Sequence, residues 1–315
     1  MAVLRELLNL KICKLIQETF KYGPDKFSPI KRGLMPGKRI VDEKKLKLMA
    51  NTVRQDIIRM ISAAGTGHPG GSLGMADVFT AMYFNVLKHD PKNPNWNDRD
   101  ILVLSNGHIC PVRYAAMAES GYFPVKELMT LRKFGSRLQG HPHRGSLPGL
   151  ETTSGPLGCG ISQAAGMALA LRMDKKQNHV YCIASDGEHD EGNTWEALMF
   201  ANKMQLTNLT VIIDRNNIQI DGHTEEVMPL EPLHEKYESF GWHVFEVDGH
   251  NIKEIIEALK ERNDKPTCII AHTTPGKGVS FMENDPEWHG KAPNSDQTKK
   301  ALQELQAERK KIEKK

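Results

Sequence analysis

Two apolar runs end in side chains that carry oxygen. The run VYCIAS (180–185) is followed by Asp186-Gly187-Glu188, and the run at 209–213 is followed by Asp214-Arg215-Asn216-Asn217. Asp186 and Asn216 stand 30 residues apart, with a helical pattern between them. A carboxylate plus a carboxamide oxygen suits a hard divalent cation such as Mg²⁺ or Ca²⁺, with phosphate oxygens and water completing the shell. An Asp-Gly pair after a strand is by itself as readily an ordinary turn. The full run SDGEHDEGNTWEA with IIDRNNIQIDG is far more specific.

Four histidines sit in glycine-flanked loops: His68 in GTGHPGG, His108 in LSNGHIC, His141 in LQGHPHRG and His289 in EWHGKAP. Glycine beside an imidazole permits close backbone approach to a ligand. Imidazole can donate to phosphate or hydroxyl oxygens and move protons near neutral pH. A single such histidine is as well read as an exposed loop residue. His89, His179, His223, His234 and His243 carry no such signal. The segment TTSGPLGCG (152–160) opens a helical pattern, and backbone N–H groups there can hold an anion or approach a flat ring. It is neither a dinucleotide fingerprint nor a Walker loop. HPHR lacks the further ligands a zinc site needs.

These residues need a scaffold that gathers strand ends. Apolar runs at 101–104, 180–185, 209–214, 243–249 and 267–273 read as buried strands. Helical patterns separate several of them: ISQAAGMALALRMD, TWEALMFANKMQ and IKEIIEALKER. This alternation predicts an α/β fold, a mostly parallel sheet with helices on both faces, whose ligands bind beyond the carboxyl ends of the strands. A helix is expected from about Lys44 to a stop at Gly65. Residues 1–20 have helical spacing, and 21–40, with three prolines and three glycines, read as a connecting arm. The division expected is 1–44 helix and arm, 45–292 main domain, and 293–315 a charged helix, alternatively a solvated surface one, with Leu302, Leu305 and Ile312 on one side.

Composition narrows the function classes. The chain has 315 residues, 39% hydrophobic and 26% charged, within the globular range. No apolar run approaches a membrane span, and the first residues lack a secretory pattern, so the expectation is a cytoplasmic protein. Residues 1–45 carry eleven Lys/Arg against five Asp/Glu, so positive charge belongs to the ends and no basic stripe for nucleic acid is expected. Five scattered cysteines form no CxxC pair, and Cys182 and Cys268 read as core thiols.

The motifs GHPGGSLG, LSNGH, FGSRLQGHP, TSGPLGCGIS, SDGEHDEG with WEA, DRNNIQIDG and His289-Gly290 occur in one order across residues 45–292. In this the sequence resembles the N-terminal half of transketolases, specifically the N-terminal subunit of split transketolases. The resemblance implies thiamine diphosphate with Mg²⁺ (Ca²⁺ or Mn²⁺ as alternatives). It implies Asp186, Asn216 and the Ile218 carbonyl as metal ligands. It implies Gly155, Pro156, Leu157 and Gly187 as backbone contacts to the cofactor, and His68 and His108 as cofactor-contacting histidines, His68 also facing substrate. His289 resembles the histidine touching diphosphate and substrate, and His141 one that bonds sugar hydroxyls. Glu191 and Glu196 resemble acids of a network linking paired active sites. The family pattern usually reads Gly-Asp-Gly; here Ser185 precedes Asp186.

The activity implied is transfer of a two-carbon ketol unit from a ketose phosphate to an aldose phosphate, in the pentose phosphate pathway. A glutamate that activates the cofactor comes, in this family, from a pyrimidine-binding domain. Only about two dozen residues follow His289, too few for such a domain. A separate C-terminal subunit in an α₂β₂ assembly is therefore expected. The alternatives are a transketolase-like subunit for an unusual sugar, a non-catalytic cofactor-binding subunit, and an oxo-acid dehydrogenase α subunit.

Overall fold

The computed structural model describes residues 39–220 and 222–314. The helix expected over 1–20 and most of the arm expected over 21–40 lie outside them. Five short runs form one parallel sheet: β1 (Ile101–Leu104), β2 (Val180–Ser185), β3 (Leu209–Arg215), β4 (His243–Asp248) and β5 (Thr267–His272). Their alternation decides what covers them. In β2, Tyr181 and Ile183 join one core while Val180, Cys182 and Ala184 join another. Buried on both faces, β2 from Val180 to Ala184 and β3 from Val211 to Ile213 run apolar, as central parallel strands require.

One core is closed by α1 (Glu43–Ala64), α2 (Pro69–Gly74), α3 (Ala76–Ala81), α4 (Cys110–Ser120) and α8 (Ile252–Lys260); the other by α5 (Cys159–Met173), α6 (Gly192–Lys203) and α7 (Leu233–Ser239). Helix α1 starts where the Asp42 side chain accepts from Lys45 N and stops at Gly65, whose φ is 68°. The final helix, α9 (Ser295–Lys314), lies along α1 rather than in solvent. Ala301 and Leu305 are buried, Asn51 Nδ2 donates to the Leu305 carbonyl at 2.9 Å, and Arg309 Nη1 donates to Thr52 Oγ1 at 3.0 Å. Leu302 is partly buried against the same core.

The strand order is β1-β2-β3-β5-β4. The chain steps across from β1 to β3, skips to β4 at the far edge, then returns to β5. All five strands are parallel, so their carboxyl ends share one edge, where open α/β sheets bind ligands. Among the described residues, no helix is long and apolar enough to cross a membrane.

Candidate active site

The carboxyl ends of β2 and β3 lie side by side, because Ser185 pairs with Asp214 in register. Asp186 is 1% exposed and heavily hydrogen-bonded. Its Oδ1 accepts from Gly187 N at 2.9 Å, and its Oδ2 from Asn217 N at 2.8 Å and Arg215 Nη1 at 3.3 Å. The carboxylate thus sits one hydrogen bond from the 216–218 turn. There, Ile218 N donates to Asn216 Oδ1 and Asn216 Nδ2 donates to Asp214 Oδ2, both at 2.9 Å. Thr273 Oγ1, just past β5, donates to Asp214 Oδ1 at 2.5 Å. Burial pushes Asp186 up to about 6, against the pull of Arg215 and the two backbone donors. Burial pushes Asp214 up to about 7, with Thr273 opposing and the Asp186 charge adding. Two buried carboxyls that resist ionisation would be relieved by a cation.

These donors fit a divalent metal whose shell is finished by a ligand from outside. Asp186 offers carboxylate oxygen, Asn216 amide oxygen and Ile218 carbonyl oxygen, all hard. Among the described residues, no three His, Cys, Asp or Glu side chains are grouped to hold a metal unaided. An oxygen-bearing ligand from outside would supply what is missing.

The glycine-rich loop before α5 is fixed from below and open above. Gly158 N donates to Glu188 Oε1 at 2.9 Å, and Gly160 N to Ser105 Oγ at 3.1 Å. Glu188 also accepts from Ser105 Oγ at 2.5 Å and Ser185 N at 2.9 Å, tying β1, β2 and this loop to one buried carboxylate. Gly155, Pro156 and Leu157 form the exposed lip, and Gly187 lies half-buried at the β2 end. The Ser185-Asp186-Gly187 turn holds in this arrangement: Gly187–Asp190 is a single 3₁₀ turn anchored by the bond from Ser185 N to Glu188.

The four glycine-flanked histidines converge. Ring centroids lie 5.4 Å apart for His68 and His108, 6.2 Å for His68 and His141, 5.6 Å for His68 and His289, and 5.1 Å for His108 and His289. Gly107 makes this possible: a Cβ there would come within 2.5 Å of Ser154 Cβ and 3.1 Å of His141 Cδ2. Helix α2 links the cluster to the strand tips. It begins after His68, and its Gly71 sits against Ile109, Asp214 and Asn216. Burial lowers His68 to about 4, with His289, Arg132 and His141 adding repulsion. His108 and His289 are lowered chiefly by burial, as is His141, where Arg132 contributes. All four are therefore neutral imidazoles at pH 7, each with one donor and one acceptor nitrogen.

Glu191 and Glu196 are not part of this cluster. Glu191 occupies the N-cap position of α6 beside Gly158 without a side-chain capping bond, and Glu196 lies on the exposed side of α6. Sequence reading missed Glu188, Asp214 and Arg215, to which it gave no role. Arg215 is 2% exposed and also bonds Glu225 and Glu231 at 2.7 Å each, pinning the segment after β3 to Asp186. The signal available was a charged residue inside a strand-end motif, where an unpaired charge would be costly.

Comparison with known proteins agrees with this geometry. Residues 45–313 match the family model described as transketolase, thiamine diphosphate binding domain. The chain is 45% identical over 266 residues to a 6-deoxy-6-sulfo-D-fructose transketolase subunit of Clostridium sp. (strain MSTE9), covering 84% of this chain and 97% of the relative. It is 39% identical to an apulose-4-phosphate transketolase subunit of Phocaeicola vulgatus, covering 85% of this chain and 96% of the relative. A crystal structure of transketolase from Campylobacter jejuni superposes with a TM-score of 0.80 at 32% identity, over 86% of this chain and 46% of that one. The chain thus spans about half the length of the solved transketolases it matches. It belongs to the transketolase family and carries that family's thiamine diphosphate binding domain, the portion that the two subunit relatives carry.

Proposed function

We propose that the chain is one subunit of a cytoplasmic two-chain transketolase, which moves a two-carbon ketol unit from an anionic ketose to an aldose. The observation that carries this reading is the convergence of His68, His108, His141 and His289 beside the oxygen-rich tips of β2 and β3. Asp186, Asn216 and the Ile218 carbonyl would hold a divalent cation, Mg²⁺ in the first instance, against the cofactor diphosphate. Gly155, Pro156, Leu157 and Gly187 would line the cofactor with backbone. When bound, thiamine diphosphate supplies the carbanion that breaks and forms the carbon–carbon bond.

The protein's own contribution is positioning and proton movement. A neutral His68, His108 or His289 can take a proton from a sugar hydroxyl and return it, and its N–H can stabilise a developing alkoxide. His141, the most exposed of the four, would hold a hydroxyl further along the sugar. Glu191 and Glu196, exposed near the cofactor loop, would meet a neighbouring subunit in an α₂β₂ assembly. The partner supplies the pyrimidine-binding domain.

One observation favours a modified sugar over a pentose phosphate as donor. The sulfofructose and apulose subunits are 45% and 39% identical to this chain, against 36% for human transketolase. The test is reconstitution with the partner subunit, thiamine diphosphate and Mg²⁺, then assay of two-carbon transfer from a panel of phosphorylated, sulfonated and neutral ketoses. Transfer by the pair and none by either chain alone is expected. Full activity from this chain by itself, or none from the pair with any ketose, would overturn the reading.

A further inference from the structure

The ring of His289 contacts His68 and His108 but, among the described residues, makes no hydrogen bond. Its place is therefore set by the backbone that carries it. That backbone is a long loop: residues 273–289 contain one 3₁₀ turn, Pro286–Trp288, and no strand or α-helix. A loop of this length keeps one geometry only where contacts from outside it offset the entropy of ordering.

On its outer side those contacts come from the charged helix α9. Glu304 accepts from Ser280 N at 2.6 Å and from Ser280 Oγ at 2.9 Å, a two-point grip on one loop residue. Lys300 Nζ stands 4.9 Å from the centre of the Phe281 ring. Leu305 packs under Gly278 so closely that a Cβ there would come within 2.9 Å of its Cδ2.

From this grip a line of contacts runs inward. Phe281 meets the buried Trp288 edge-on, with ring centroids 5.4 Å apart, and Trp288 immediately precedes His289. The Trp288 carbonyl lies 3.1 Å from where a Cβ on Gly70 would sit, and Gly276 N donates to the Gly70 carbonyl at 2.9 Å. Gly70 belongs to the first turn of α2, which starts after His68. The line bears on His289 through its neighbour and on His68 through the start of α2.

We propose that Glu304 is a positioning residue for ketol transfer: its grip on Ser280 sets the contact of Phe281 with Trp288 and so aligns His289 against His68. This rests on the reading above and extends it to a helix outside the site.

The test compares two contacts of α9. Glu304→Ala removes the grip on the loop, whereas Arg309→Ala removes a bond to Thr52 of α1 and leaves the loop contacts in place. In the reconstituted pair, Glu304→Ala should lower kcat about tenfold, because a small displacement of a positioned group is costly, and Arg309→Ala by less than about twofold. Glu304→Gln keeps the reach, an acceptor for Ser280 N and a donor for Ser280 Oγ, so it should stay within about threefold of wild type. Ser280→Ala, at an exposed residue, removes one of the two contacts from the loop side and should cost about threefold. Hydrogen exchange of the full chain should be faster across residues 279–289 in Glu304→Ala than in Arg309→Ala. Equal losses of kcat in the two alanine variants would make α9 a general stabiliser and overturn the proposal. With an active wild type, unchanged kcat and exchange in Glu304→Ala would remove this role alone. No turnover of any ketose by the wild-type pair would remove the ketol-transfer reading and this role with it.

Discussion

The strand tips and the histidine loops lie on either side of helix α2 and satisfy their polar atoms in opposite ways. Both oxygens of Asp186, Asp214 and Glu188 already accept hydrogen bonds from backbone or neighbouring side chains. In the histidine cluster, among the described residues, the one ring nitrogen with a hydrogen-bond contact is His68 Nδ1, 3.4 Å from Arg132. The tips are a rigid anchor whose geometry is set before any ligand arrives. The histidines are placed by loops but keep nitrogens available for a substrate. A site that must hold a cofactor firmly and serve a changing substrate needs both kinds of construction.

Changes on either side of α2 should therefore fail differently. The largest effect expected is from His68→Ala, which should lower kcat of the reconstituted pair by about 10²–10⁴-fold while changing apo stability by less than about 1 kcal/mol. A large loss of stability in urea unfolding would erase the distinction. Glu188→Ala should do the reverse on the free chain. It strands donors at Ser105, Gly158 and Ser185 and should cost about 3 kcal/mol, read by the same unfolding experiment. His141→Ala should raise KM for the sugar about tenfold and leave thiamine diphosphate affinity within threefold, by calorimetry.

Proton linkage sharpens the contrast further. Asp186 at about 6 and Asp214 at about 7 lie above the ordinary 3.8, so the folded free chain keeps protons that the unfolded chain has lost. Stability contributed by these groups accordingly falls as pH rises from about 4 to 7. A cation at Asp186 favours the ionised form. Binding of Mg²⁺ and thiamine diphosphate at pH 6 should thus release protons, and release fewer at pH 8. Calorimetry in buffers of different ionisation enthalpy measures this, and net uptake would contradict it. The smallest effect expected is from Glu196→Gln, below about 0.5 kcal/mol on the isolated chain, because Glu196 is exposed.

Much of the scaffold was legible because it rests on local patterns. The apolar runs at 180–185 and 209–214 could only be buried strands, and Gly65 marked its helix end. The pairing of Asp186 with the 216–218 turn followed from a strand–helix–strand order. Convergence of the histidines was not legible, since His68, His108, His141 and His289 come from four loops whose approach depends on contacts such as Ser154 against Gly107. The roles of Glu188 and Arg215 were hidden for a related reason. Each acts through partners that become neighbours only after folding, and a buried charge looks in sequence like a surface one. Helix α9 was legible as a helix, but its packing on α1 rests on a few apolar side chains, Ala301, Leu302 and Leu305, and on hydrogen bonds with Asn51 and Thr52, in an otherwise charged stretch.

The most direct measurement is thiamine diphosphate affinity of the reconstituted pair, in the presence of Mg²⁺, for wild type and Asp186→Ala. A cation gripped by Asp186 and Asn216 predicts weakening of about a hundredfold, near 3 kcal/mol, with the variant chain still folded. Affinity within threefold of wild type would show that the diphosphate is held elsewhere, and the strand-tip anchor would have to be abandoned.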